Sequence, residues 1–184
     1  MSAEIYLIAP TDLSTDRLVP ALAALLDSHE VAALLLPRGA LSDNAYKALA
    51  KSIVPLAQKH GAAVLVEGDP GIVRLLGADG LHVAGDAKLV KEALSALKPD
   101  FIVGVGSSGS RDEAMSVGEL GVDYILFGPL SGAITDEERA VARWWAETME
   151  VPSVLSDPQS SLADFDAEGC EFIGLPLVVA ETAT

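Results

Sequence analysis

The sequence predicts a small closed barrel of eight parallel strands with helices between them, the (β/α)8 fold. Three observations lead to this prediction: eight short apolar runs recur along the chain, stretches with helical spacing separate them, and the length suits one domain. With 184 residues, 50% of them hydrophobic, the chain can bury one sizeable core and is too short for two. We therefore expect residues 1–184 to form a single barrel domain.

The eight apolar runs have the length and composition of strands that are buried on both faces. They span residues 4–10, 31–37, 62–69, 80–86, 101–107, 124–129, 152–156 and 172–179. A flavodoxin-like open sheet is the alternative, but that sheet usually has about five strands. Eight strands favour the closed barrel, although the fold typically takes about 250 residues.

Helices are predicted between the strands, over 43–60, 87–97, 110–119 and 136–149. Two of them begin with the spacing of a capping box, Ser110 before Glu113 and Thr135 before Glu138. Only the five residues AETAT follow the last strand, so we expect the eighth helix to be missing or very short. Either a second subunit covers that side of the barrel, which would make the protein a homo-oligomer as we expect, or the surface there is unusually bare.

The charge balance argues against two classes of partner. The chain has 12 Lys+Arg and 27 Asp+Glu, a formal net charge of −15, which would repel nucleic acid and gives no attraction to an anionic membrane. No apolar run reaches the roughly 20 residues of a membrane-spanning helix. The N-terminal MSAEIYLIAP lacks a basic segment, and the single Cys170 suits a reducing compartment. We therefore expect a cytoplasmic protein with no nucleic-acid or membrane partner.

The candidate site residues follow the strands, because the loops at the carboxyl ends of the strands form the active site in this fold. They are Arg38, Asp69, Asp86 and residues 107–110, 128–136 and 156–157. Asp69 and Asp86 follow neighbouring strands, so both carboxylates could bind one Mg²⁺ together with water and substrate oxygens. The alternative is structural: Asp86 caps the next helix and Asp69 begins a turn before Pro70.

Other polar features of these loops have both a functional and a structural explanation. His82 shares a strand face with Asp86, which favours a buried, hydrogen-bonded histidine inside the barrel over a catalytic one. Residues 106–113 bring hydroxyls to a helix N-terminus that can bind phosphate, although Ser110 is equally explained as its N-cap. Arg38 and Arg111 are the only basic side chains expected at the mouth, which is few for a pyrophosphate.

The motifs LHVAGD and GVDYILFGP, with LGADG ahead of the first, resemble the thiamine-phosphate synthase family, which also contains the thiazole tautomerases. The resemblance runs from the first strand to about residue 136. It implies a (β/α)8 barrel that joins hydroxymethylpyrimidine pyrophosphate to thiazole phosphate and releases pyrophosphate. It also implies a cofactor, Mg²⁺, on the pyrophosphate.

The resemblance carries part of the metal site to this chain. Asp86 corresponds to the aspartate that closes the family's HLGQxD motif, with one residue fewer after His82. The family's ND pair after strand three falls on Glu67 and Gly68, which leaves Asp69 one position late as the second metal ligand.

The anion contacts of the family are carried over less completely. Arg38 replaces one of the two basic groups of the QLRxK pattern, and Ser107 matches the serine after strand five, followed by Ser108 or Gly109 in place of histidine or threonine. The family's GPxxxTxTK appears here as GPLSGAITD. The residues retained from it are Gly128, Pro129 and Thr135, whereas Asp136 replaces the lysine. Asp157 stands where the family has a GGI phosphate loop.

Three functional hypotheses follow. In the first, a thiamine-phosphate synthase, Asp69 and Asp86 bind Mg²⁺, Ser107 and Asp86 are catalytic, and electrostatics stabilise a pyrimidine carbocation. The substrate contacts are then Arg38, Ser107, Ser108, Gly128, Pro129 and Thr135. The second is a thiazole tautomerase that uses a carboxylate such as Asp69 or Asp136 as its acid or base. The third is a non-catalytic ligand-binding or regulatory homologue.

Overall fold

The protein forms a closed barrel of eight parallel strands, as the sequence predicts. The computed structural model describes residues 2–106 and 109–178. Consecutive strands pair along the chain, and the last strand pairs with the first to close the barrel. The strands are β1 (Glu4–Ile8), β2 (Val31–Leu36), β3 (Ala63–Val66), β4 (Gly80–Val83), β5 (Ile102–Gly106), β6 (Tyr124–Phe127), β7 (Ser153–Ser156) and β8 (Phe172–Pro176). Most are shorter than the apolar runs because the ends of those runs belong to the loops.

Six helices follow the first six strands in the described part of the chain. They are α1 (Thr15–Ser28), α2 (Asp43–Lys59), α3 (Gly71–Leu76), α4 (Ala87–Leu97), α5 (Arg111–Gly118) and α6 (Asp136–Thr148). Ser110 caps α5 by accepting from the Glu113 amide, and Thr135 and Glu138 form a complete capping box on α6. Local spacing therefore placed these two helix starts correctly.

The predicted alternation of strands and helices is wrong after β7, because residues 157–171 form turns and no helix. Short side chains replace helical hydrogen bonds there: the Gln159 amide donates to Asp157, and the Glu168 amide donates to Asp166. Such local contacts compete with helix formation. No helix follows β8 before the described chain ends at Val178, in line with the predicted missing helix.

The core has two layers, one inside the barrel and one between the strands and the helices. Alternate strand residues point inward and form the inner layer: Tyr6, Ile8, Leu35, Leu65, Tyr124, Leu126 and Val154. Their neighbours in sequence point outward and pack under the helices, as Leu34 and Leu36 do on either side of Leu35. Strands such as β2 are therefore apolar on both faces, which explains their continuous apolar runs.

Three polar side chains cross the inside of the barrel and satisfy one another. The Tyr6 and Tyr124 hydroxyls lie 2.7 Å apart, and His82 Nδ1 lies 2.8 Å from the Tyr124 hydroxyl. Gly104 on β5 makes room for them, because a Cβ there would overlap the Tyr124 ring. His82 is thus the buried, hydrogen-bonded histidine that the strand pattern predicts. Its partner is a phenol.

Two further features concern the single cysteine and the lengths of the helices. Cys170 is a buried core residue, and burial raises the pKa of its thiol to about 11. None of the helices in the described ranges is long and apolar enough to cross a bilayer.

Burial of His82 makes stability depend on pH. Loss of hydration lowers the pKa of His82 from 6.5 to about 4. Between these values the unfolded chain binds a proton that the folded protein does not, so stability is present above pH 6.5 and is lost as the pH falls towards 4. We expect the free energy of unfolding to fall through this effect by on the order of 3 kcal/mol at most. Urea unfolding at a series of pH values measures the free energy of unfolding.

His82→Gln is the control, because glutamine keeps a partner for Tyr124 and does not titrate. The free energy of unfolding should change less between pH 6.5 and 4 in His82→Gln than in the wild type. An equal change in both proteins would contradict the assignment.

Candidate active site

A cavity of about 600 Å³ opens at the carboxyl ends of the strands, where this fold has its active sites. Four neighbouring strands, β7, β8, β1 and β2, each contribute one proline to its wall: Pro158, Pro176, Pro10 and Pro37. Ile8 and Leu130 add to the apolar surface. We call this space the mouth cavity.

Glu67, the residue after β3, lines the mouth cavity and is held on two sides. The Arg38 amide donates to its Oε2 at 3.0 Å, and the Glu67 amide donates to the Tyr46 hydroxyl at 3.0 Å. Tyr46 in turn donates to the Leu36 carbonyl. Partial burial raises the pKa of the Glu67 carboxyl, and the Arg38 amide offsets part of that rise.

Glu67 is not among the site residues predicted from the sequence. Its position aligns with the family's ND pair, and Asp69 is the predicted metal ligand in this loop. One signal was present in the sequence: a carboxylate ends the wholly apolar strand Ala63–Val66, at the end where the site lies.

The Arg38 side chain leaves the mouth cavity. Pro37 and Gly39 line the cavity, whereas the intervening Arg38 does not and pairs with Asp43 of α2. Its guanidinium also lies over the Tyr46 ring, 5.9 Å from the centroid. The predicted contact between Arg38 and pyrophosphate therefore lies outside the mouth cavity, and it stays a prediction.

Both candidate metal ligands also have the structural roles that formed the alternative reading. Asp86 Oδ1 accepts from the Lys88 amide at 2.8 Å and the Leu89 amide at 3.3 Å, and so caps α4. Asp69 Oδ1 accepts from the Gly71 amide at 3.0 Å. Both side chains are exposed, and the second oxygen of each carboxylate makes no hydrogen bond within the described chain.

No three carboxylate, histidine or cysteine side chains converge as a metal site within residues 2–106 and 109–178. Mg²⁺ bound to a phosphorylated substrate usually needs only one or two protein carboxylates, and the phosphates and water supply its other ligands. Asp86 and Asp69 each have one carboxylate oxygen that is available for that mode of binding, in which the substrate brings most of the ligands. They do not form a site that would hold the ion alone.

The loop after β6 is fixed against the end of β7. Gly128 has φ +94°, and a Cβ on it would overlap the Ser156 backbone, so packing between two strand ends requires this glycine. The Ser156 hydroxyl donates to the Pro129 carbonyl at 2.6 Å. Thr135 is engaged in its capping box with Glu138. The structure thus gives Gly128, Pro129 and Thr135 scaffold roles, and their predicted contact with substrate stays a prediction.

An arginine that the sequence analysis missed compensates the acid at the end of β7. Asp157 is only 8% exposed, and its Oδ2 pairs with Arg139, one turn into α6. Its Oδ1 accepts from the Gln159 amide at 3.2 Å. The two residues lie 18 positions apart and meet only through the fold. The charge of Asp157 is therefore neutralised at the place where the family binds phosphate.

The remaining candidates lie on or near α5. Arg111 stacks on Trp144 of α6, 4.8 Å from the ring centroid. Ser110 is the N-cap of α5. Ser107 and Ser108 lie outside the described residues, so their predicted catalytic and substrate contacts stay predictions.

We expect the Arg139–Asp157 pair to stabilise the fold. Arg139→Met leaves a buried carboxylate without its cation, which should lower the free energy of unfolding by about 1–3 kcal/mol. In a double-mutant cycle with Asp157→Asn, urea unfolding should give a coupling free energy of about 1 kcal/mol or more. Additive effects of the two substitutions would show that the pair contributes nothing.

Comparisons with known proteins identify the family of this chain. A model of the thiamine monophosphate synthase family matches residues 5–156. The chain is 35% identical over 155 residues to a thiamine-phosphate synthase of Rhodospirillum centenum, covering 82% of this chain and 75% of the relative. It is 33% identical over 185 residues to one of Hyphomonas neptunium, covering 93% and 83%.

A solved structure has the same fold. Thiamine phosphate pyrophosphorylase from Pyrococcus furiosus superposes with a TM-score of 0.73 at 17% identity, over 94% of this chain and 85% of that one. At that identity the likeness concerns the fold alone. The family match and the two relatives carry the conclusion: the chain belongs to the thiamine monophosphate synthase family.

Proposed function

We propose that this protein is a thiamine-phosphate synthase, which joins hydroxymethylpyrimidine pyrophosphate to thiazole phosphate and releases pyrophosphate. The observation that carries the proposal is the family match over residues 5–156, together with relatives of that name at 35% and 33% identity. The mouth cavity, at the carboxyl ends of the barrel strands, is large enough for a small heteroaromatic ring.

The reaction breaks one bond and forms another. The bond between the pyrimidine methylene carbon and pyrophosphate oxygen breaks, the oxygen keeps the electron pair, and the thiazole nitrogen then bonds to the methylene carbon. The barrel must hold the two rings together and stabilise the charge that separates. Bound Mg²⁺ would neutralise charge on the leaving pyrophosphate. Asp86 and Asp69 would hold it through their free oxygens.

Arg38 is the cation that substrate binding could recruit. Its pair with Asp43 is exposed, with side-chain exposures of 35% and 69%. Exposed pairs of this kind contribute about 0–1 kcal/mol, so a pyrophosphate could displace Asp43 at little cost. Arg139 is less available, because its movement to a substrate would leave the buried Asp157 carboxylate without its cation.

The quaternary structure and compartment are also proposals. A second copy of the chain over the outer side of β8 and β1 would cover Leu162 and Val178, which are 46% and 78% exposed. Sedimentation equilibrium should then give a mass above that of one 19.1 kDa chain, and a monomer at all concentrations would contradict the proposed oligomer.

The single buried thiol supports a cytoplasmic protein, which fractionation of cells would test.

The activity test combines the two purified substrates with Mg²⁺ and measures thiamine phosphate formed and pyrophosphate released. We expect turnover by the wild type. Asp86→Asn keeps a cap for α4 but removes the charge, and should lower activity roughly 10- to 100-fold, with partial recovery at higher Mg²⁺. Asp86→Ala also loses the cap, so its effect includes instability.

Asp100→Asn, an exposed change in the turn before β5, is the matched control and should retain wild-type activity. A folded wild type that forms no thiamine phosphate would overturn the synthase proposal. Metal-independent isomerisation of a thiazole carboxylate phosphate would then support the tautomerase hypothesis. Ligand binding without turnover would support the non-catalytic one.

A further inference from the structure

We propose that Glu67 determines substrate specificity by accepting a hydrogen bond from the exocyclic amino group of the pyrimidine, with the ring held between the proline walls of the mouth cavity. This inference rests on the proposed synthase function and assigns its pyrimidine subsite. It makes Glu67 the residue that distinguishes an amino-substituted ring from an oxo-substituted one.

The first support is the way in which Glu67 is held. Its main-chain amide donates to Tyr46, and its Oε2 accepts from the Arg38 amide, so backbone and carboxylate are both oriented before any ligand arrives. Its Oε1 makes no hydrogen bond to any described residue, and the side chain lines the mouth cavity. A fixed carboxylate oxygen with free acceptor capacity is a specific receptor for an N–H group.

The second support is the shape and polarity of the cavity. Its walls include four rigid proline rings and the side chains of Ile8, Ala9 and Leu130, none of which can donate a hydrogen bond, and the side chains of Thr11 and Ser131 add two hydroxyl groups. A volume of about 600 Å³ holds a substituted pyrimidine with room for part of its second substrate. An apolar space with few fixed polar groups is the usual form of a site for a flat heteroaromatic ring.

The third support is charge. The charged side chains that line the mouth cavity within the described chain are Asp12 and Glu67, and no lysine, arginine or histidine lines it. Two carboxylates oppose a phosphate in this space and favour a donor group. We therefore place the phosphorylated ends of the substrates outside this space.

The chemistry of the ring completes the argument. The exocyclic amino group of the pyrimidine presents N–H donors, whereas an oxo group at the same place presents an acceptor. If an oxo oxygen lay opposite Oε1 of Glu67, two acceptors would face each other, and each would be buried without a hydrogen-bond donor. Such a mismatch costs a factor of roughly 10 to 100 in affinity.

The test uses two probes without phosphate, 4-amino-5-hydroxymethyl-2-methylpyrimidine and its 4-oxo analogue, with binding measured by calorimetry. The wild type should bind the amino probe roughly 10- to 100-fold more tightly than the oxo probe. Glu67→Gln should reverse the preference. The Arg38 amide requires an acceptor, so the glutamine oxygen turns towards it and the glutamine NH₂ faces the cavity, where it donates to the oxo group.

Glu92→Gln on the exposed face of α4 is the matched control and should leave the preference unchanged. In the synthase assay, Glu67→Gln should raise the KM for the pyrimidine substrate and leave that for thiazole phosphate nearly unaltered. Urea unfolding of Glu67→Gln shows whether the substitution destabilises the fold. If it does, the ratio of the affinities for the two probes, measured within the variant, still reports its preference.

The outcomes separate this proposal from the synthase function. A wild type that forms thiamine phosphate, with a Glu67→Gln variant that keeps the amino preference, overturns the role of Glu67 and leaves the synthase standing. A Glu67-dependent amino preference without turnover supports the subsite and overturns the synthase. A wild type that binds neither probe overturns the subsite.

Discussion

The pairing of β8 with β1 is the interaction on which the rest of this structure depends. Five residue pairs, from Glu4 with Phe172 to Ile8 with Pro176, join the two ends of the sheet. Closure makes β7, β8, β1 and β2 neighbours, and only then do four prolines from distant parts of the sequence form one wall. It also brings Tyr6 to within 2.7 Å of Tyr124 across the barrel. The mouth cavity and the polar contact below it are therefore both products of closure.

Charge at the mouth is arranged in local pairs, within a chain of strongly negative net charge. Arg38 is paired with Asp43, and Arg139 with Asp157. The first pair is exposed and weak, and the second holds a buried carboxylate. What remains in the mouth cavity is acidic, which is unusual for an enzyme that handles pyrophosphate. In the subsite proposed above, the ring occupies the cavity and the anionic groups lie outside it.

Residues that the family motifs single out also build the scaffold. Asp86 caps α4 with one oxygen, and Thr135 caps α6. A carboxylate has two oxygens, so capping leaves Asp86 able to bind a metal through the other. The cap already fixes the orientation of the Asp86 side chain, so less side-chain entropy is lost when a metal binds. Scaffold and site functions are compatible at this position because they use different atoms.

The sequence by itself determined the barrel and the helix starts at Ser110 and Thr135, and it gave the capping of the next helix as one of two roles for Asp86. These depend on apolar periodicity and on contacts within four residues, which local spacing encodes. The tertiary structure decided which way Arg38 points, that Arg139 meets Asp157, and that Glu67 faces the cavity. It also decided that residues 157–171 form turns, whereas strict alternation predicted a helix. Such features depend on strand register and closure, because a shift of one residue along a strand moves a side chain from the inside of the barrel to the outside.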